Sequence, residues 1–393
     1  MTDSGKVLVV GGGVAGLTMS ICLDMAGFES EVYEAYPVYK EAGSSFVLAP
    51  SGQEVLASMG ILDEVRENSF TAASSTCFFT SENELIGRTE WNGSAPGTGE
   101  FLSIGRAELL NVLLAEAKRR KIRVNYGKKL YSAVESPHDV KAVFEDGTAT
   151  HGALLIGADG TKSRTRSLIF PHIPLKYSGV WCVFGKSSPQ CLPGDELAAL
   201  RTSMNSYEGR TATCFVTYDG KGGRQSISWV LVGTVDRKIP AKSFEQKPKA
   251  ALRSDLLTFV QGWKGSVPTL IEEADTLTPV QLNCLDALPA WSSGRIALIG
   301  DAIHAASPLL GLGATFALGD AMYLSKMLRE HDYPDAYYYY HLDRHAQLRS
   351  ISTQQDFALG ASASLFHVGR ELPAVDWDGT DNLTLLNAPQ PRA

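Results

Sequence analysis

Residues Lys6 to Val10 read Lys-Val-Leu-Val-Val and run straight into Gly11-Gly12-Gly13-Val14-Ala15-Gly16. An apolar run of this length, stopped by glycines, predicts a buried parallel strand. Leu17 to Ala26 has helix-forming composition, and Gly27 stands where a left-handed C-cap is wanted. Strand, glycine turn and helix make the dinucleotide fingerprint G-x-G-x-x-G. Gly11 permits the tight turn, Gly13 lets backbone approach a pyrophosphate, and Gly16 lets the helix close on the strand. The helix N-terminus offers unpaired N–H groups and a positive dipole end to phosphates. A second strand is predicted over Glu29 to Glu34. Glu34 ends it about 20 residues past the glycines, where an acid can bind a ribose hydroxyl; Ala35 follows it.

Composition narrows the remaining choices. The 393 residues leave room for one large or two medium domains, and 44% hydrophobic with 20% charged residues is ordinary globular usage. A net charge of −7 argues against nucleic acid as the main partner. The basic run Lys118 to Lys121 closes a predicted helix, where it complements the macrodipole. The six cysteines are scattered without a C-x-x-C pair, which favours free thiols in a reducing compartment over disulfides or zinc. No apolar run approaches the roughly 18 residues of a membrane helix. A cytoplasmic protein with no membrane span is therefore expected, as a monomer or homodimer.

The chain then changes character twice. A helix is predicted from Ser51, as N-cap, to about Met59, a hairpin within Thr71 to Trp91, and an amphipathic helix after Arg106. Between about Tyr177 and Asn283 the segments are β-rich and separated by glycine turns, which predicts an antiparallel sheet forming one wall of a substrate pocket. Trp181, Phe215 and Trp229 fit either that wall or the core. Strand-plus-glycine grammar returns at Gly294 to Asp301, followed by helices from about Ala314 to Leu328 and from Pro334 onward. The tyrosine run Tyr337 to Tyr340 reads as helix packing. The fold class expected is α/β: a Rossmann-type domain, an interleaved antiparallel-sheet substrate domain and C-terminal helices. The domain bounds expected are 1–176 (with 71–103 on the substrate side), 177–284, 285–370, and a polar tail over 371–393.

Two further stretches join the fingerprint. One is Ala158-Asp159-Gly160-Thr161-Lys162-Ser163-Arg164-Thr165-Arg166. The other runs from Gly300-Asp301-Ala302-Ile303-His304 through Pro308 to Gly311-Leu312-Gly313-Ala314. In this order and spacing, the three resemble the motifs of the single-component FAD-dependent aromatic hydroxylases. These are the group A flavin monooxygenases with a para-hydroxybenzoate hydroxylase-like fold. Short salicylate hydroxylase-like and tetracycline-inactivating enzymes are the members most similar, and the resemblance spans roughly residues 5 to 350.

The resemblance implies resident FAD and NAD(P)H as co-substrate, NADPH ahead of NADH. A flavin C4a-hydroperoxide would pass one oxygen atom of O2 to a small organic substrate, aromatic or polycyclic. FAD contacts are then expected from Gly11, Gly13, Val14, Ala15, Gly16, Glu34, Ala35, Arg106, Leu130, Asp159, Asp301, Pro308, Gly311, Gly313 and Ala314. Asp301 suits the ribityl hydroxyls, and Asp159 alternatively serves a plain turn with ion pairs to Arg164 or Arg166. Arg106 is alternatively a solvated helix-start residue. No catalytic side chain is assigned; Pro308 and Gly313 lie nearest the reacting ring by motif, and His304 is expected to be structural. No metal site is expected. Two departures touch the cofactor: Ala35 replaces a frequent arginine, and Gly311 to Thr315 replaces Gly-Gln-Gly-x-Asn. The alternatives kept are an FAD dehydrogenase or reductase, a Baeyer–Villiger or epoxidising enzyme, a non-enzymatic flavin-binding protein, and a plain NAD dehydrogenase.

Overall fold

The computed structural model describes residues 5–38, 45–71, 75–90, 101–201, 204–209, 212–219, 225–235, 237–304 and 313–346. Pro308, Gly311 and the tail from Glu371 lie outside these residues.

A six-stranded sheet organises the first layer, in the order Ser292–Ser293, Ile296–Leu298, Leu154–Gly157, Val7–Val10, Ser30–Tyr33, Arg123–Asn125. Its inner strands are parallel: Val7–Val10 pairs with Leu154–Gly157 on one side and Ser30–Tyr33 on the other, and Leu154–Gly157 pairs with Ile296–Leu298. Val7–Val10 is buried at every position, which is why it reads as an unbroken apolar run instead of an alternating one. The helix Val14–Met25 follows the fingerprint and ends as its glycine demands, with Gly27 at φ 83°. The return helix Gly313–Glu330 lies against it, Leu318 and Met322 meeting Leu17 and Ile21 in one apolar cluster.

The second layer is a seven-stranded sheet in the order Ala274–Cys284, Lys176–Ser187, Ser226–Thr234, Ala212–Asp219, Met204–Glu208, Ser75–Thr80, Leu85–Glu90. The chain enters this sheet twice. Ser75–Thr80 pairs in parallel with Met204–Glu208, about 130 residues on in sequence, a pairing that no hairpin signal announces. One face carries a core with the helices Lys249–Phe259 and Ser266–Glu272; Trp181 and Trp229 lie in it, 7% and 3% exposed, so both are core residues. Of the Phe215 side chain the structure describes nothing.

One local expectation is corrected. The helix predicted from Ser51 is Pro50–Ser58, with Ala49 as N-cap and no side-chain cap. Proline at the first helical position supplies the helical φ and has no N–H to leave unpaired, so it displaces the serine signal. Residues 333–346 are helical, and the tyrosine run splits by face: Tyr337 and Tyr340 are buried while Tyr338 and Tyr339 are exposed. The Tyr340 hydroxyl donates to the Leu298 carbonyl at 3.2 Å, tying this helix to the parallel sheet. Among the described residues no helix is long and apolar enough to cross a membrane, and the six cysteines are free thiols.

Candidate functional site

Three stretches far apart in sequence meet beyond the carboxyl ends of the parallel strands, where ligands of open α/β sheets bind. Glycines make the meeting possible. A Cβ on Gly11, whose φ is 108°, would stand 2.3 Å from the Ala158 carbonyl oxygen, so the first turn presses on the start of the second stretch. A Cβ on Gly16 would lie 1.8 Å from the Gly11 oxygen and 3.4 Å from the Ala158 Cβ. Gly300, at φ 60°, wedges between the Ala15 and Ala317 methyls, 3.1 and 3.5 Å from its own would-be Cβ. It thereby packs the third stretch against both helices.

The second and third stretches are stitched by a residue whose part was not assigned from sequence. Arg166 is 2% exposed. It donates to the Ala302 carbonyl at 3.0 Å and to the Thr161 carbonyl at 2.7 Å. Burial pushes its guanidinium down from the usual range, with Asp159 opposing. Asp159 itself makes no ion pair with Arg164 or Arg166. Its carboxylate accepts from the Ser163 hydroxyl and, at 2.9 and 3.0 Å, from the Thr165 N–H and hydroxyl. It therefore anchors the start of the helix Arg164–Ile169, while Arg164 reaches the Tyr131 carbonyl. Replacing Arg166 with methionine keeps the apolar stem and removes both tethers. FAD affinity is expected to fall about tenfold, since hydrogen bonds from a charged donor contribute ~1.5–3 kcal/mol each. A flavin-fluorescence titration reads this, and an unchanged Kd would show that the two stretches hold their places without the arginine.

The remaining expected residues divide between cradle and core. Gly13 precedes the helix with no side-chain cap, no acid occupies the first turn, and nothing lies within 4 Å of its would-be Cβ. The helix thus presents uncapped N–H groups and its positive end to an open space, the fit a pyrophosphate requires. Glu34 stands beside it: its carboxylate accepts from Gly12 N–H at 2.7 Å and Tyr36 N–H at 2.8 Å, keeping lone pairs for a ribose hydroxyl. Ala35 is exposed. At the other end Asp301 is exposed, held by the Thr161 hydroxyl at 3.4 Å, with the would-be Cβ of Gly313 3.8 Å from its Oδ1. An open glycine cradle between two acceptor carboxylates suits a long, polar, phosphate-bearing cofactor. Arg106 opens the helix Arg106–Arg119 with its side chain exposed. Val14, Leu130 and Ala314 are 8%, 3% and 4% exposed and pack in apolar clusters, so only their backbones are open to a ligand.

Behind Gly300 lies a buried charge cluster. Asp320, fully buried, accepts from Gly300 N–H at 3.0 Å and from Arg344 Nε and a terminal nitrogen at 3.0 and 2.9 Å. His304 Nε2 lies 2.7 Å from the same carboxylate. Burial opposes charge on the imidazole, but the Asp320 carboxylate outweighs it and raises His304 above its ordinary value. Burial likewise opposes the Asp320 charge, and His304, Arg344 and the Gly300 N–H together lower it. His304 thereby ties the turn that bears Asp301 to the return helix. Thr315, at the position of one departure, receives a hydrogen bond from Ala49 N–H at 3.1 Å and so pins the return helix to the Pro50–Ser58 helix.

Comparison with known proteins agrees with this geometry. The profile of the FAD binding domain family matches residues 4–347. The FAD-dependent urate hydroxylase of Klebsiella pneumoniae is 28% identical over 340 residues, covering 83% of this chain and 82% of that enzyme. The 6-hydroxynicotinate 3-monooxygenase of Pseudomonas fluorescens is 26% identical over 355 residues, covering 88% of each. The structure of 2,6-dihydroxypyridine-3-hydroxylase from Arthrobacter nicotinovorans superposes with a TM-score of 0.80 at 18% identity, over 95% of this chain and 98% of that one.

Proposed function

The chain belongs to the FAD binding domain family, and on that premise we propose that it is an FAD-dependent monooxygenase. It takes NAD(P)H and O2 and places one oxygen atom on a small aromatic or N-heterocyclic substrate. The observation that carries the reading is the convergence of the fingerprint, the Asp159 stretch and the Gly300-Asp301 turn on one open cradle. A plain NAD site has no use for the third of these. The named relatives act on urate and 6-hydroxynicotinate, both nitrogen heterocycles.

Bound FAD would supply the redox chemistry, namely oxidation of the nicotinamide and transfer of oxygen from O2. The protein binds, orients and excludes water. The N–H groups at Val14, Ala15 and Gly16, with Gly13 leaving room, hold the pyrophosphate. Glu34 takes the ribose, Asp301 the ribityl hydroxyls, and Arg106 stands at the phosphate or flavin side. Gly11, Ala35, Leu130 and Asp159 contribute through backbone. Gly313 and Ala314 would stand at the ring, where the start of the helix Gly313–Glu330 would favour negative charge on it, and Pro308 and Gly311 join them by motif resemblance alone. The seven-stranded sheet walls the substrate side and keeps bulk water from the reacting centre.

Incubation with 18O2, NADPH and a panel of hydroxylated aromatics and N-heterocycles tests the reading. One 18O atom per product molecule is expected. NADPH oxidation with no label in any product would reassign the chain to a dehydrogenase or reductase on the same scaffold.

A further inference from the structure

The seven-stranded sheet has two faces with different duties. Tyr207 marks the inner one: its ring stacks on Phe79 with centroids 5.2 Å apart, and its hydroxyl meets the Ser266 hydroxyl at 3.0 Å. Trp229 and Leu231 lie on that same side, in the core with the helices. Side chains alternate along a strand, so Glu208, next to Tyr207, belongs to the opposite face. The pairing register Glu208–Thr213–Val232 puts it on the same side as Ser228, which is two residues along from Val230 and four from Val232. The Ser228 hydroxyl lies 2.8 Å from that of Ser45, in the strand that pairs with Gly105 beside Arg106. The face bearing Glu208 is therefore the one turned toward the FAD-binding layer, and Ala212–Asp219 touches Leu102–Gly105 across that seam.

Glu208 has no structural employment there. Among the described residues its carboxyl makes no hydrogen bond or ion pair, and burial alone acts on it, pushing it up to about 7. Its cross-strand partners are Thr80 and Thr213, both neutral, with Val232 beyond. A half-buried carboxyl left without a partner costs stability, because its desolvation goes uncompensated. A ligand donor entering the seam would supply the missing hydrogen bond.

We propose that Glu208 is the residue that recognises the substrate, accepting a hydrogen bond from a ring N–H or O–H. The assignment rests on the oxygenase reading for what the substrate is for, but it concerns binding alone. A ring bearing a donor is held by the carboxylate, and one whose donor is capped by methyl leaves that carboxylate buried and unpaired. Discrimination then comes from the penalty on the wrong ligand as much as from the bond to the right one.

The test uses FAD-loaded protein and two matched pairs of probes that stay neutral near pH 7: indole against 1-methylindole, and phenol against anisole. Binding is followed by perturbation of the flavin visible spectrum. The wild type is expected to prefer the donor of at least one pair by about tenfold, and Glu208→Gln to compress that preference to about threefold or less. Because the ionised form is the better acceptor, affinity for the donor should rise as pH climbs through about 7 and be flat in Glu208→Gln. Unchanged FAD content and thermal midpoint of the variant show that the fold is intact. No binding, equal binding of both members in the wild type, or a preference and pH profile kept by Glu208→Gln would each overturn the assignment. Absence of 18O transfer would overturn the oxygenase reading and leave these binding results standing.

Discussion

Alanine at Gly13 and alanine at Gly16 are expected to damage the protein in opposite ways. At Gly16 the new Cβ would lie 1.8 Å from the Gly11 carbonyl oxygen, and backbone on both sides has no rotamer by which to yield. Gly16→Ala should destabilise the fold by about 3 kcal/mol or more, as overpacking against main chain does, and the purified protein should carry little FAD. At Gly13 the backbone is extended, with φ −78°, and nothing lies within 4 Å of the added methyl. Gly13→Ala should therefore change apoprotein stability by no more than ~0.5 kcal/mol. Its FAD dissociation constant should still rise tenfold or more, roughly 1.4 kcal/mol, because the methyl fills space meant for phosphate. Urea unfolding of the apoproteins and fluorescence titration with FAD separate the two effects. Wild-type FAD affinity in Gly13→Ala would remove the pyrophosphate from this turn.

Asp320→Ala is expected to be the most destabilising single change outside the fingerprint. It removes the carboxylate that both Arg344 and His304 face in the interior, a loss of about 3–5 kcal/mol. His304, left with burial and the Arg344 charge against the weaker pull of Asp301, should then titrate lower than in the wild type. The same cluster sets a pH window for the wild type. Asp320 is lowered from 3.8, so its contribution is present above that value and lost as pH falls through the folded one. His304 is raised from 6.5, so its contribution is complete below 6.5 and lost as pH rises through the folded value. Stability should peak between these limits and decline on either side. In Asp320→Ala the decline above 6.5 should vanish, which urea midpoints across the pH range will show.

How much of this was legible in the chain depended on whether the signal was local. The first strand, fingerprint, helix and Glu34 are adjacent in sequence, and their residue types answer to backbone geometry: Gly11 and Gly27 have the positive φ their positions demanded. Membership of the FAD-binding family was legible for a related reason, since the short stretches near Asp159 and Asp301 keep their composition and spacing. The helix start at Pro50 was misread because serine and proline give competing signals one residue apart. Asp159 offered a turn or an ion pair on paper. The structure uses it to anchor a helix start, because Ser163 and Thr165 lie within reach and the arginines point elsewhere.

The sequence by itself determined the cofactor-holding grammar of this protein, because glycine, a helix start and a terminal acid act over a few residues of backbone. Tertiary structure decided what joins those parts. Arg166 became a tether only when Ala302 came within 3.0 Å, and Asp320 became the seat of a buried cluster only when helix packing brought Gly300, His304 and Arg344 around it. Ser75–Thr80 found its place beside Met204–Glu208 through a parallel pairing across a long span of chain, which no local pattern encodes. Glu208 shows the division most plainly. In sequence it is a glutamate after a tyrosine, and only the register of the strands turns one inward to the core and the other toward the seam.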